Sequence, residues 1–252
     1  MTEKKHNFFS SMEKVTNRPD TVSSAAASRR SFIRVAGAAA VTGGLLTACS
    51  TADETSVQPT GSARAAGDVV NLPTGDVGIL SFAYVLEQLE AAFYEMVVAK
   101  PYMGMTANQK QILTDIGGHE IIHREFFRVA VGNFVPNLTF DFSGIDFNDK
   151  GSVLQAAADF ELVGVGAYNG AGKYLKSADY LTLAGKIVSV ETRHHSIIRE
   201  LQYPRLDAFA GPTIVTSDTG LHKAYEPTYV LPIAQKFIKE TISASALLAS
   251  VS

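Results

Sequence analysis

The chain is nearly free of cysteine. Its single Cys, Cys49, among 252 residues excludes an intrachain disulfide framework and a thiolate metal site. Tryptophan is absent. A surplus of basic charge is missing too, since the formal net charge is −3. Seven of the 22 Lys and Arg, but three of the 25 Asp and Glu, fall in the first 48 residues, so the remainder carries −7. That balance excludes the cationic footprint of a nucleic-acid-binding protein. The apolar run from Val35 to Ala48 falls short of the roughly 20 residues that cross a bilayer. No segment alternates apolar and polar residues over a useful length, so no β-sheet is expected.

What is present at the N-terminus reads as an address. Residues 28–34 are SRRSFIR, and the pair Arg29–Arg30 precedes the Gly- and Ala-rich run that ends Leu46-Thr47-Ala48-Cys49. The order of arginine pair, short apolar run and lone Cys matches a twin-arginine signal followed by a lipobox, in which Cys49 becomes the lipidated first residue. The expectation is a signal peptide over residues 1–48 and export in the folded state. The mature protein is then a periplasmic or cell-surface lipoprotein held to the membrane through Cys49. Residues 49–74, rich in Ser, Thr, Ala, Gly and Asp, are expected to be a flexible linker. What remains has the length of one core of ordinary size.

The rest is patterned for helices. The first is expected from about Gly75 to Ala99, opened by Pro73-Thr74 and closed by Lys100-Pro101. The second follows Thr106-x-x-Gln109, a capping box, and ends at Gly132. An irregular stretch, 133–148, rich in Phe, Asp, Asn and Pro, leads to a third helix from about Asp149 to Lys176. Ser177 caps a fourth, which runs to about Tyr203 and stops at Pro204. Short first and third connections force antiparallel neighbours, and one long crossover joins the two hairpins. The domain therefore spans residues 75–204, an all-α four-helix bundle of ferritin-like connectivity. Residues 205–252 form an extension with an apolar-periodic piece, Val230 to about Leu248, read as a fifth helix across the bundle.

Two Glu-x-x-His strings stand mid-helix: Glu120-Ile121-Ile122-His123 in the second helix and Glu191-Thr192-Arg193-His194 in the fourth. With 13 Glu and six His, chance supplies roughly 0.3 such pairs. Residues i and i+3 lie about 60° apart on a helix, so both side chains reach one ion or neighbouring ions. The first helix adds Glu87 and Glu90, the third Glu161. Tyr94 follows Glu87 by seven residues and Tyr168 follows Glu161 by seven, nearly two turns, which places each Tyr above its Glu. The hairpins thus read as a weak internal repeat: Glu, Tyr, then Glu-x-x-His. One Glu from each of two helices and Glu-x-x-His from each of the others make a dinuclear carboxylate centre. Four carboxylates neutralise two divalent ions, and hard oxygen and imidazole donors favour iron or manganese. The match with Glu161 and Tyr168 favours Glu87 as the first helix's ligand. The spacing to the second helix favours Glu90, since 90 to 120 equals 161 to 191; both are named, with Glu87 ranked ahead.

The strings LEQLEAAFY, HEIIH, FELVGVGAY and VETRHH resemble a family of exported bacterial ferritin-like domain proteins, to which plant desiccation-related proteins are similar. The resemblance covers about residues 75–204 and implies the fold and the metal site. The leading expectation is an oxidase or peroxidase that uses the metal pair on dioxygen or hydrogen peroxide, with Tyr94 or Tyr168 supplying a proton or an electron. A storage cage fits a lipid anchor and long tail poorly, and a homo-oligomer is left open. Two other classes compete. His119-Glu120-x-x-His123 matches the HExxH of zinc peptidases, and a bundle with structural metal or none could serve as an envelope or stress-protection module. His119 and His195 are expected at the surface or behind the ligands. Gly164, Gly166, Gly170 and Gly172 signal close helix packing or, less economically, a substrate channel.

Overall fold

The computed structural model describes residues 68–204, 208–212 and 214–251. The expected signal peptide, Cys49 and most of the expected linker lie outside them. Among the described residues no helix is long and apolar enough to cross a membrane.

Four long helices carry the fold: α1 (Gly75–Ala99), α2 (Ala107–Val131), α3 (Lys150–Ala171) and α4 (Ala178–Gln202). Thr106 and Ser177 cap as the sequence predicts; Asp149, expected only as the start of the third helix, caps it too, and Thr74, which opens α1, makes no side-chain cap bond. Thr106 accepts from Gln109 N while Gln109 reaches back to Thr106 N, completing the capping box. Asp149 accepts from Ser152 N at 2.7 Å, and Ser177 accepts from Tyr180 N at 3.3 Å. Each such cap stabilises its helix by about 1 kcal/mol. The third helix ends earlier than Lys176, because Gly172–Tyr174 tightens into a 3₁₀ turn. Asp76, in the first turn of α1, clamps that connection by accepting from Lys176 N and Ser177 N, both at 2.8 Å.

Helix α1 packs along α2, and α3 along α4, as two hairpins. The crossover between them is pinned from both sides. Buried Gln88 of α1 donates to Pro136 O and accepts from Leu138 N. Buried Glu240 accepts from Thr139 N and from its hydroxyl. Phe142 and Phe147 of the crossover pack edge-on or tilted with Phe93 of α1 and Phe160 of α3 in one aromatic cluster. Helix α4 is the least covered. Only Glu191, His194, His195 and Ile198 of it are buried, and Val188 is half-buried.

Three expectations need correction. A small sheet exists: β1 (Val69–Asn71) pairs in parallel with β2 (Thr241–Ser243). The last residues of the expected 49–74 linker therefore belong to the fold, and Val70 and Leu72 are buried. The two strands are three residues each, too short for a period-two pattern to register. The single helix expected over 230–248 is broken into α5 (Pro227–Ala234), a 3₁₀ turn at Gln235–Phe237, β2, and α6 (Ser245–Val251). Pro232 inside α5 removes a backbone donor, and Gln235 then takes over the turn by donating to the carbonyls of Ile238 and Glu240. The α3 glycines serve packing. Tyr225 of the extension donates its N–H to Gly166 O at 2.8 Å. A Cβ at Gly166 would overlap the Tyr225 ring, and one at Gly170 its carbonyl oxygen.

Candidate metal centre

All six donors of the sequence motifs meet in the middle of the bundle. Glu87, Glu120, His123 and Glu191 form one set, and Glu120, Glu161, Glu191 and His194 a second, each with donor atoms within 4.8 Å of one another. The sets share Glu120 and Glu191. His123 Nδ1 lies 2.8 Å from Glu191 Oε1 and 3.5 Å from oxygens of Glu87 and Glu120. His194 Nδ1 lies 2.7 Å from Glu120 Oε1, 3.7 Å from Glu161 and 3.8 Å from Glu191. Two donors bound about 2.1 Å from one ion at 90–110° stand about 3.0–3.4 Å apart, the middle of this range.

Each tyrosine serves the other hairpin's glutamate. Tyr94 of α1 donates to Glu161 Oε1 of α3 at 2.6 Å, and Tyr168 of α3 donates to Glu87 Oε1 of α1. One oxygen of each outer carboxylate is thereby used, and the other, Oε2, is left. Both oxygens of Glu120 and of Glu191 are left as well. These six oxygens and Nδ1 of His123 and His194 are buried and make no hydrogen bond of acceptable geometry; the approaches of 2.7 and 2.8 Å among them are ion-pair contacts between the donors themselves. Unpartnered buried polar atoms cost about 1–3 kcal/mol each, more when charged. Eight together are tolerable when a cation completes them, so the donor set fits a metal.

Without a cation, protons must neutralise the cluster. Burial, reinforced by Glu191, pushes the Glu87 carboxyl up to about 8. Burial also lifts Glu161 well above the ordinary carboxylate range, with Glu120 and Glu191 adding to it. Burial acts upward on Glu120 as well, but His123 and His194 outweigh it and bring the group down to about 2. For His194 burial acts downward, and Glu120 and Glu191 overcome it, raising the imidazole to about 10. His123 is raised in the same way, against burial, by Glu120, Glu191 and Glu87. Burial and the adjoining carboxylates hold Tyr94 and Tyr168 well above 10, so both stay O–H donors.

The remaining candidates fall around this cluster. Glu90 is buried but belongs to neither donor set. Its carboxylate lies against Gly164 of α3, where a Cβ would stand 2.6 Å from Glu90 Oε1. His119 is exposed, and its Nδ1 lies 2.9 Å from His194 Nε2. It therefore backs a donor without joining the sets. With Nδ1 of His194 given to a cation, Nε2 keeps the proton and donates to His119. His195, expected at the surface or behind the ligands, is buried against His222 of the extension at 6.1 Å between ring centroids, and burial lowers it to about 4. The sequence marks Gly164 as a packing glycine without its partner Glu90, and it gives Arg193 no role. Arg193 lines a surface pocket over the two donor histidines. Setting Glu90 beside its equivalent in the second hairpin would have pointed to Gly164.

A four-helix bundle with one long crossover and a buried Glu/His cluster able to hold metal defines a class, the ferritin-like proteins. Residues 75–204 match the family model described as the ferritin-like domain, and the chain belongs to that family. No curated protein matches the chain.

Proposed function

We propose that the bundle holds two divalent ions, iron or manganese, and uses the pair on dioxygen or hydrogen peroxide as an oxidase or peroxidase. The observation that carries this reading is the set of eight buried, unpartnered donor atoms on four helices. Glu87 Oε2 and His123 Nδ1 would hold one ion and Glu161 Oε2 and His194 Nδ1 the other, with Glu120 and Glu191, common to both donor sets, within reach of each. When bound, such a pair supplies Lewis acidity and electrons for reducing an O–O bond. The protein's own part is to exclude bulk water and to hold protons near the centre. All four glutamates are buried, and Tyr94 and Tyr168 keep their protons at Oη beside Glu161 and Glu87. A cavity of about 30 Å³ lies behind Tyr168, walled by Leu80, Phe127 and Ile187 among others, room for about one small molecule.

The zinc-peptidase reading is disfavoured by His119. An HExxH site needs both histidines on one ion, whereas His119 turns to His194 and stands outside both donor sets. The reading is tested by metal analysis of protein purified from its native host. Close to two iron or manganese ions per chain are expected, and Fe(II) or Mn(II) should raise the melting temperature of the metal-free protein. No bound metal and no stabilisation would make the six residues structural and leave a non-catalytic envelope bundle. Export and lipid anchoring are proposed from residues 28–49 alone. Cys49→Ala should release the protein from the membrane fraction, and normal export of the doubly substituted Arg29→Lys, Arg30→Lys chain would sink the targeting argument.

A further inference from the structure

The four glutamates of the centre are fully buried, whereas the side chains of His123 and His194 keep 11% and 5% of their surface exposed. Solvent therefore reaches the centre at its histidine edge. There, between α2 and α4, lies an open pocket of about 280 Å³ lined by His119, Ile122, His123, Val190, Arg193 and His194. Those six residues are three pairs of equivalent positions, each 71 residues apart, the same interval that separates Glu120 from Glu191. One pair, His123 and His194, is identical in the two hairpins. The other two differ: His119 faces Val190 in the pairing, and Ile122 faces Arg193. Residues that hold the centre are repeated, and residues that face an incoming molecule have diverged, the pattern expected where the two jobs are separate.

The divergence leaves one fixed charge at the mouth. No carboxylate lines the pocket. Asp115, one turn before His119, accepts from Gln111 and is not part of the lining. Arg193 donates from Nε and Nη2 to Ser189 and has no acidic partner among the described residues. Its remaining guanidinium donors are available, and a guanidinium fork suits a carboxylate. Ile122 and Val190 supply apolar wall. The volume is just under the roughly 300 Å³ at which sites for drug-sized molecules begin.

We propose that this pocket is the binding site for the second substrate of the centre and that it takes a small organic monoanion, a carboxylate on a compact apolar body, recognised by Arg193. The proposal rests on the dinuclear reading above. It also assigns direction to the centre: a mouth with a cation and no carboxylate repels ferrous ion, so this face serves a co-substrate rather than iron traffic.

The test uses the full chain loaded with Mn(II), with benzoate and benzamide as probes of equal size that differ in charge. Metal content is measured first, then probe affinity by calorimetry. Benzoate should bind at least about tenfold more tightly than benzamide, the worth of one charge-assisted pair. Arg193→Gln should remove most of that preference while metal content stays unchanged. Equal binding of the two probes, or a preference that survives Arg193→Gln, overturns the anion site and leaves the dinuclear reading standing. Faster Fe(II) loading in Arg193→Gln, with no probe preference in the wild type, overturns it in favour of a cation passage. Failure to load metal at all defeats the dinuclear reading, and the proposal falls with it.

Discussion

Helices α1 and α3 correspond at an interval of 74 residues, which pairs Glu87 with Glu161 and Tyr94 with Tyr168; α2 and α4 correspond at 71, pairing Glu120 with Glu191 and His123 with His194. At neighbouring positions the same intervals pair Glu90 with Gly164, His119 with Val190 and Ile122 with Arg193. The donors match and their neighbours do not. The difference teaches which residues the centre dictates. An ion fixes donor type and distance within tenths of an ångström, so both hairpins must present the same set. Residues a turn away answer only to packing or to what approaches from outside, and there the hairpins have parted. The crossed Tyr–Glu bonds tie the halves together, since neither hairpin completes its own outer carboxylate.

The largest effects should come from breaking what the hairpins share. Glu120→Ala or Glu191→Ala removes a donor from both sets at once, and metal content should fall below about one ion per chain. Glu87→Ala and Glu161→Ala each touch one set, and content near about one ion is expected from either. The cause is charge: two divalent ions under-neutralised in a low-dielectric core lose several kcal/mol of binding. Metal analysis of the four purified variants checks this. A marked difference between Glu87→Ala and Glu161→Ala would break the equivalence of the halves.

A second test exploits the protons that stand in for the ions. Glu87 is raised from 4.5 to about 8 and His194 from 6.5 to about 10. A raised group stabilises the metal-free fold below its unfolded value and loses that contribution as pH climbs through the folded one. Glu120, lowered from 4.5 to about 2, loses its contribution only as pH falls through that range. Between about pH 5 and 9 the metal-free protein should therefore weaken as pH rises. Metal displaces those protons, so the melting-temperature gain from Mn(II) should be larger at about pH 8.5 than at about pH 5.5. Thermal melts at the two values decide it, and the opposite order would mean that protons do not occupy the donor sites.

Much of this was legible before any coordinates. The caps at Thr106 and Ser177 and the stop at Pro204 mark the long helices because each acts within one turn of the chain. Four donors were legible because Glu-x-x-His repeats itself and a helix converts spacing into direction, and Glu161 because it is the third helix's carboxylate a Tyr follows by seven residues. The choice between Glu87 and Glu90 was not. The first hairpin is three residues longer between its outer carboxylate and its Glu-x-x-His, 33 against 30, so loop spacing and helix register gave opposite answers. Two of those residues lengthen α1 beyond Glu87 and one lengthens the connection, lengths that packing sets. The β1–β2 pairing and the seat of Tyr225 on α3 were out of reach for a different reason. Both join segments far apart in sequence, and neither leaves a periodic trace.

A smaller effect is expected from His119, which backs His194, whereas Val190 at the equivalent position offers His123 no such partner. His119→Ala should leave about two ions per chain but weaken the ion on the His194 side by about tenfold, the usual consequence of removing an orienting partner. Mn(II) titration followed by calorimetry should then show two unequal steps where the wild type shows closer ones. His123→Ala, by contrast, should lose about one ion per chain, because His123 belongs to one of the two donor sets. Equal losses from both would place His119 among the ligands and reopen the HExxH reading.

The smallest expected effect concerns Glu90 and Gly164. Gly→Ala in a helix interior ordinarily stabilises by about 1 kcal/mol. At Gly164 the new Cβ would stand 2.6 Å from Glu90 Oε1, so the carboxylate would have to swing. Burial, then the charges of Glu191, Glu120, Glu87 and Glu161, already push the Glu90 carboxyl well above its ordinary range, and any swing keeps it among those groups. The helical gain should therefore be cancelled in the wild-type background and recovered in full once Glu90→Ala has emptied the space. A double-mutant cycle of thermal or urea unfolding should give a coupling of about 1 kcal/mol. All four proteins should bind the same amount of metal, because Glu90 belongs to neither donor set. Additive effects would mean that Gly164 does not exist to admit Glu90. Loss of metal with Glu90→Ala would make Glu90 a ligand after all and break the match between the hairpins at its centre.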